Sequence, residues 1–432
     1  MSNILRRLCA RKPVEFMEKE IGVSEYKRPL SAFDLVMLGV GCIMGAGIFV
    51  LTGKAARQNA GPAITLAFLI AGSVCALACL CYAELGSTLP VSGSAYAFSY
   101  AALGELLGWI VGWDLMLEYL AGAALVAVGW SVYLDIFLAG LFGKERIFDP
   151  RFANAPIIWY EAGDKPGHTA GFYLHKATCQ DGTECQTFFN AANPQRDLPI
   201  GIIGSLVICT VFYIAVSAVL TGMVHYSEIN MAAPVGQALI DVGLPVLAVV
   251  VSFGVICGLT SVLLVLLIGQ PRIFYAMSMD GLLPKSFSYI DPRSGTPLTA
   301  TIASGVFCSV LAGLLPVDML ANMNSVGTLT AFFIVSVSCL VLRITEPDLP
   351  RKFKIPGGKI GGFVIPALSA LISAGLFSQA SLASMARVVI WMGLGLLVYI
   401  FYGYNHSKLG KVLSGKANYD QPDLHTNEKS KA

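Results

Sequence analysis

The chain has 432 residues, 55% of them hydrophobic and 13% charged, with a formal net charge of +2 and a mean hydropathy of +0.68. A soluble domain carries about 25% charged residues, so a water-soluble globule is excluded. The near-neutral balance gives no footing for a nucleic-acid partner, and the composition points to an all-α, multi-span membrane protein in contact with lipid.

The first 30 residues are polar and basic, with Arg6, Arg7, Arg11, Lys12, Lys19, Lys27 and Arg28. They lack the apolar core of a signal peptide, and the positive-inside rule places 1–32 in the cytoplasm. The first apolar run, 33–51, is centred on Gly39-Val-Gly-Cys-Ile-Met-Gly-Ala-Gly-Ile-Phe49. Each glycine there costs about 1 kcal/mol of helix propensity relative to alanine. Two readings stay open. Gly41 and Gly45 form a GxxxG pair that lets a second helix approach closely. Alternatively, Gly45-Ala46-Gly47-Ile48 is an unwound joint between two half-helices, whose freed N–H groups can hold an anion such as a carboxylate.

On a ruler of about 20 apolar residues per crossing, further runs follow at 62–82, 106–142, 199–223, 244–269, 298–315, 323–342, 363–377 and 388–404, giving about nine spans. They group into a first bundle (33–142) and a second (199–404), separated by a polar segment (143–198) and followed by a cytoplasmic tail (405–432). The expected loop after the first run is 51–61, and no lysine falls in any expected span. Glu84 marks a cytoplasmic helix end, with a role in packing or in an inner gate. Basic residues in 270–297, 343–359 and the tail put the C-terminus in the cytoplasm as well, which suits an inner-membrane protein. Counting crossings forward from a cytoplasmic N-terminus and backward from a cytoplasmic C-terminus disagrees by one. Either 106–142 is a hairpin turning near Gly122, or a crossing is missing between 143 and 198. As one helix, 106–142 is about 55 Å long, far longer than a 30 Å core unless strongly tilted.

Most of the 11 cysteines lie in apolar runs and behave as small hydrophobes. Cys179 and Cys185 flank a polar turn and would close a small disulfide on an oxidising side. They do not read as a metal site, because His175 is the nearby imidazole and no second ligand pair follows. No phosphate loop, cofactor motif or catalytic pair is visible, so an enzyme is not expected.

Several blocks resemble the amino acid–polyamine–organocation superfamily, and within it the bacterial amino acid permeases close to cationic amino acid transporters. They are Phe33-Asp-Leu-Val-Met-Leu-Gly-Val-Gly41 with Gly45-Ala-Gly-Ile-Phe-Val-Leu-Thr-Gly53, Tyr82-Ala-Glu-Leu-Gly86 with Pro90-Val-Ser-Gly-Ser-Ala-Tyr96, Gly112-Trp-Asp-Leu-Met-Leu-Glu-Tyr119, Asn193-Pro-Gln-Arg-Asp-Leu-Pro-Ile-Gly201, and Arg272-Ile-Phe-Tyr-Ala-Met-Ser-Met-Asp-Gly-Leu-Leu-Pro284. The resemblance implies a permease of twelve spans, ten of them forming two inverted five-helix repeats. Substrate would lie at the midplane between broken first and sixth helices. Backbone groups around Ile43, Met44, Gly45, Ala46, Gly47 and Ile48 would hold an amino acid, its carboxylate on N–H groups and its ammonium on carbonyls. The chain departs from this pattern at one place. The Asn193 block follows the family's sixth helix but here follows the third span, so the fourth to sixth helices have no counterpart and the fold is an incomplete version. Three absent spans account for the odd crossing.

Asp114 and Glu118 lie one turn apart on one helix face. Ionisable groups at membrane depth are functional by default, and the family carries an acidic pair at these positions. Like charges at this spacing repel, so one of the two is expected to hold a proton and to serve coupling or gating. The alternative is an interior hydrogen-bonding pair. Thr260 and Ser261, which the resemblance places beside the first-helix break, would offer hydroxyls to an ammonium or a cation, or simply bond back to their own helix. Trp109, Trp113 and Trp130 read as packing or interface residues. The sum is a transporter of amino acids by alternating access, in symport with protons, with cationic amino acids as a candidate class. The rival is a truncated, non-transporting membrane protein with at most an interaction or regulatory role.

Overall fold

The computed structural model describes residue 7 and residues 10–13, 31–89, 91, 93–143, 193–231, 233–290 and 296–414. Cys179 and Cys185 lie outside the described residues. Every regular element among the described residues is helical, and seven stretches are long and apolar enough to cross a membrane, beside the shorter apolar helix Leu298–Leu314. The all-α, multi-span membrane class expected from composition and hydropathy therefore holds.

The first stretch, Ala32–Thr88, has 57 residues, about 85 Å if straight. It is broken twice. Helix α1 (Ala32–Ile43) opens on a capping box, in which the Ser31 hydroxyl accepts from the Asp34 N–H and the Asp34 carboxylate accepts from the Ser31 N–H. Helical geometry lapses at Met44 and Gly45 and resumes as a second half-helix whose turns run from Gly47 to Ala60. Gly61, with φ +55°, ends it. The expected loop at 51–61 is thus corrected: it is helix, and it brings Lys54 onto the continuation of the first span, where no lysine was expected. Three of the polar residues beyond the apolar run have tertiary partners. Lys54 pairs with Asp318, the Arg57 guanidinium donates to the Ile229 carbonyl at 3.0 Å, and the Gln58 amide meets the Met231 sulfur at 3.3 Å.

Then follow α2 (Ile64–Thr88), α3 (Ala95–Leu103) and α4 (Glu105–Phe142). The last is one uninterrupted helix of 38 residues that stops at Gly143, in the left-handed region at φ +63°. A hairpin at Gly122 is excluded. That glycine stays helical and buried, and a Cβ on it would come within 3.1 Å of Asn324 Oδ1, so its missing side chain serves close helix packing rather than a turn. Beyond the polar segment come α5 (Pro194–Met223), α6 (Pro234–Asp241), α7 (Pro245–Met279), α8 (Leu298–Leu314), α9 (Val317–Thr345), α10 (Gly358–Ser378), α11 (Leu382–Val398) and α12 (Lys408–Leu413).

The core joins residues from both sides of the polar segment. One cluster contains Tyr96, Trp109, Met116, Ile273, Met277, Val335 and Tyr399 from α3, α4, α7, α9 and the end of α11. A second contains Ala46, Val50, Leu120, Ala124, Leu259 and Val326, and so packs the second half-helix between α4, α7 and α9. Trp109 is fully buried and donates to the Gly395 carbonyl at 3.0 Å. It stacks on Trp113 at 5.7 Å, and Trp113 stacks on Trp391 at 5.0 Å. These indoles do pack, and they fix α4 to α11. Trp109→Ala is expected to cost about 3–5 kcal/mol, read as a lower unfolding midpoint in detergent.

The bundle end next to residues 10–13 and α12 carries several buried carboxylates, among them Glu84, Glu105 and Asp280. Glu84 receives the Arg343 guanidinium, with Nε at 2.8 Å. Asp280 takes the Lys12 ammonium at 2.8 Å and the Tyr96 hydroxyl at 2.6 Å. Glu105 accepts from Tyr399 at 2.8 Å, Tyr100 at 3.1 Å and Ser407. Lys12, on residues 10–13, thus anchors the N-terminal segment to the end of α7.

Candidate functional site

The site is built around the lapse at Met44 and Gly45. An irregular backbone at membrane depth survives only if it is buried in protein or lines a cavity. Ala46 is 2% exposed and Ile48 0%. Carbonyls on both sides of the break accept hydroxyls, two of them from other helices. Tyr213 of α5 donates to the Ile43 carbonyl at 3.2 Å, Tyr133 of α4 donates to the Phe49 carbonyl at 2.7 Å, and Thr52 donates back to the Gly47 carbonyl at 3.1 Å. The Gly45 N–H turns onto the Ile43 carbonyl at 2.8 Å. The first turn of the second half-helix carries the positive end of its dipole; there the Ile48 N–H faces the Tyr213 hydroxyl and the Phe49 N–H reaches the Gly45 carbonyl at 3.5 Å.

Both readings of the glycine cluster are realised. The joint is unwound, and its glycines are also a contact surface. A Cβ on Gly41 would lie 3.3 Å from the Ser261 hydroxyl, and one on Gly45 would lie 3.2 Å from Val262, both on α7. On the other side, Gly129 of α4 lies against Val50 and Ala46. A Cβ on Gly258 of α7 would lie 3.8 Å from the Met44 carbonyl oxygen.

Thr260 and Ser261 reach this region by different faces. The Thr260 hydroxyl bonds back to the Ile256 carbonyl at 2.8 Å and accepts from the Trp130 indole at 3.0 Å. Ser261 faces Gly41 of α1. The exposed face of α7 continues through Phe253, Gly254, Cys257 and Leu264.

The acidic pair is elsewhere. Asp114 is fully buried and neither of its oxygens has a protein donor. The Thr328 hydroxyl of α9 donates to Glu118 Oε1 at 2.8 Å. Gly327, one residue before Thr328, leaves the space these carboxyls fill: a Cβ there would stand 3.5 Å from Asp114 Oδ1 and 3.6 Å from Glu118 Cβ. Along α4, Glu118 is 11 residues from Gly129, about 16 Å. The structure thus separates the break from the acidic pair and joins them through α4. Among the described residues, no group of three or more His, Cys, Asp or Glu side chains comes together as a metal site.

Comparison with known proteins bears on the whole chain. Two family models, each described as amino acid permease, match residues 34–143 and 136–402. The chain is 37% identical over 471 residues to a methylthioribose transporter of Bacillus subtilis (strain 168), covering 95% of this chain and 100% of the relative. The chain belongs to the amino acid permease family. It is also 38% identical over 451 residues to the branched-chain amino acid permease BcaP of the same organism, covering 90% and 96%. With the vacuolar cationic amino acid transporter 4 of Arabidopsis thaliana it shares 36% identity over 412 residues, covering 80% and 68%. Membership places this permease in the amino acid–polyamine–organocation superfamily and makes it an integral membrane transporter of amino acids or related solutes, not an enzyme. The 471-residue match is longer than the 432 residues of this permease, so part of it is occupied in the relative alone.

Sequence reasoning missed Tyr133, Tyr213 and the pairing of Lys54 with Asp318. The two tyrosines had a readable signal, since a phenol in the middle of an apolar run needs a partner for its hydroxyl.

Proposed function

We propose that this permease carries an amino acid across the membrane by alternating access, binding its carboxylate on the N–H groups of Ala46 and Gly47 and its ammonium on the carbonyls around Ile43 and Met44. The observation that carries the reading is the buried helix break, held open by hydroxyls from α4 and α5. The positive dipole end of a half-helix suits a carboxylate and not a cation. Cationic amino acids stand among the candidates beside branched-chain ones, following the names of the relatives. Uptake of each labelled amino acid into proteoliposomes tests this, and saturable uptake of at least one is the expected result.

Coupling to protons is proposed at Glu118 and Asp114, with Thr328 holding Glu118. A carboxyl inside a membrane bundle, with one hydroxyl donor and no cation among its hydrogen-bond partners, suits a group that gains and loses a proton during the cycle. Glu118→Gln is expected to flatten the pH dependence of uptake, while Thr328→Val shifts it without abolishing it. An unchanged pH profile in Glu118→Gln removes the residue from the mechanism.

Both termini are placed in the cytoplasm, in a bacterial inner membrane, on the basic loops. The bundle end with Lys54 and Asp318 then faces outward. Three family spans are proposed to be absent between α4 and α5. The length of the match to the methylthioribose transporter and the odd crossing support this. The exposed small-residue face of α7 at Gly254, Cys257 and Ser261 favours a second reading, in which the shortened chain does not transport. A well-folded preparation with no uptake of any amino acid would decide for that reading.

A further inference from the structure

A cavity of about 180 Å³ opens at the bundle end opposite residues 10–13 and α12. Its wall combines Val50 and Lys54 of the second half-helix, Val128 and Val132 one turn apart on α4, and Val317 and Asp318 at the start of α9. Lys54 and Asp318 pair across it, and their side chains are 21% and 57% exposed. A single cation and a single carboxylate above four valines match one ligand chemistry: a zwitterion with a short aliphatic side chain. A charged side chain would find no third partner of opposite sign among these residues.

We propose that this cavity is a second, external site for a free aliphatic amino acid, with its carboxylate on Lys54, its ammonium on Asp318 and its side chain against the valines. The proposal rests on the permease reading and its orientation, and adds to it a station distinct from the helix break. An ion pair this exposed contributes little on its own. Opening it to admit a zwitterion exchanges one ion pair for two and removes apolar surface from water. Geometry also gives the site its place in the path. Val50 lies four residues beyond Ala46, about 6 Å along the helix, so the cavity and the break share one half-helix. Departure of the ligand inward lets Lys54 and Asp318 rejoin behind it.

Equilibrium binding of labelled leucine to the purified full chain tests the proposal, with Gly47→Leu closing the break and Lys54→Met closing the cavity. The expected result is two sites in the parent chain, one in each single variant and none in the double variant. Leucinamide, lacking the carboxylate, and N-acetyl-leucine, lacking the ammonium, are each expected to bind the Gly47→Leu chain at least about tenfold more weakly than leucine. The exchange Lys54→Asp with Asp318→Lys keeps both charges and is expected to recover the site. One site in the parent chain, or unchanged stoichiometry in Lys54→Met, overturns the external site. If uptake persists in that case, the permease reading stands without it. If the parent chain fails to transport while Gly47→Leu still binds leucine through Lys54, the external site stands and the transport reading falls.

Discussion

Gly47→Leu is expected to abolish uptake while leaving membrane insertion intact. Gly47 is the residue where the second half-helix begins, and the Tyr213 hydroxyl stands against its Cα. Any side chain there fills the space in front of the N–H groups proposed to hold the carboxylate, and it also displaces the tyrosine that satisfies the Ile43 carbonyl. The two effects separate in variants. Gly47→Ala with Tyr213→Phe removes the hydroxyl that the new methyl group meets. Its unfolding midpoint is expected to approach that of Tyr213→Phe alone, while uptake stays lost. Uptake restored in the double variant would show that Gly47 serves packing only and would remove the N–H cradle from the mechanism.

Arg343→Met is expected to lower stability by about 3–5 kcal/mol, because it strands a buried carboxylate. Glu84 is 1% exposed. Its oxygens take two nitrogens of Arg343, the Ile355 N–H at 2.9 Å and, more distantly, Arg351 at 3.5 Å. Without Arg343 the remaining partners leave that charge poorly compensated. Replacing both partners with apolar side chains, Glu84→Met with Arg343→Met, removes the stranded charge and is expected to recover most of the loss. Thermal unfolding in detergent reads both. An unchanged midpoint in Arg343→Met would mean that the pair is neutral. The pair also ties α2 to α9, and the Phe353 N–H meets the Ser87 hydroxyl at 3.3 Å, so the last turn of α2 and the loop after α9 form one unit at this bundle end. Glu84 thus packs the last turn of α2 against α9 and the loop that follows it.

The limits of sequence reasoning fall at particular residues. Lys54, Arg57 and Gln58 ended the first apolar run, and hydropathy therefore placed a loop where the chain is helical. Hydropathy registers polarity without registering a partner. Asp318, Ile229 and Met231 hold those three side chains, and the last two lie 172 and 173 residues along the chain from the groups they meet. Gly122 offered a turn signal, and the structure uses it for contact with α9. Asp114 and Glu118 were legible as a pair because spacing of four residues on a helix is a local property. Their distance from the break was not.

The sequence by itself determined the membrane class, the α-helical architecture, the positions of most spans and the family, through the blocks around Gly45, Glu84, Glu118, Asn193 and Arg272. These follow from composition and short-range pattern, which lipid reads directly: a run of about 20 apolar residues enters the bilayer whatever its neighbours are. Only the tertiary structure decided that the glycine cluster both breaks and packs. A broken helix in lipid is stable when its freed carbonyls meet donors from elsewhere; here Tyr213 of α5 donates to the Ile43 carbonyl, 170 residues away, and Tyr133 of α4 holds the second half-helix at the Phe49 carbonyl, 84 residues away.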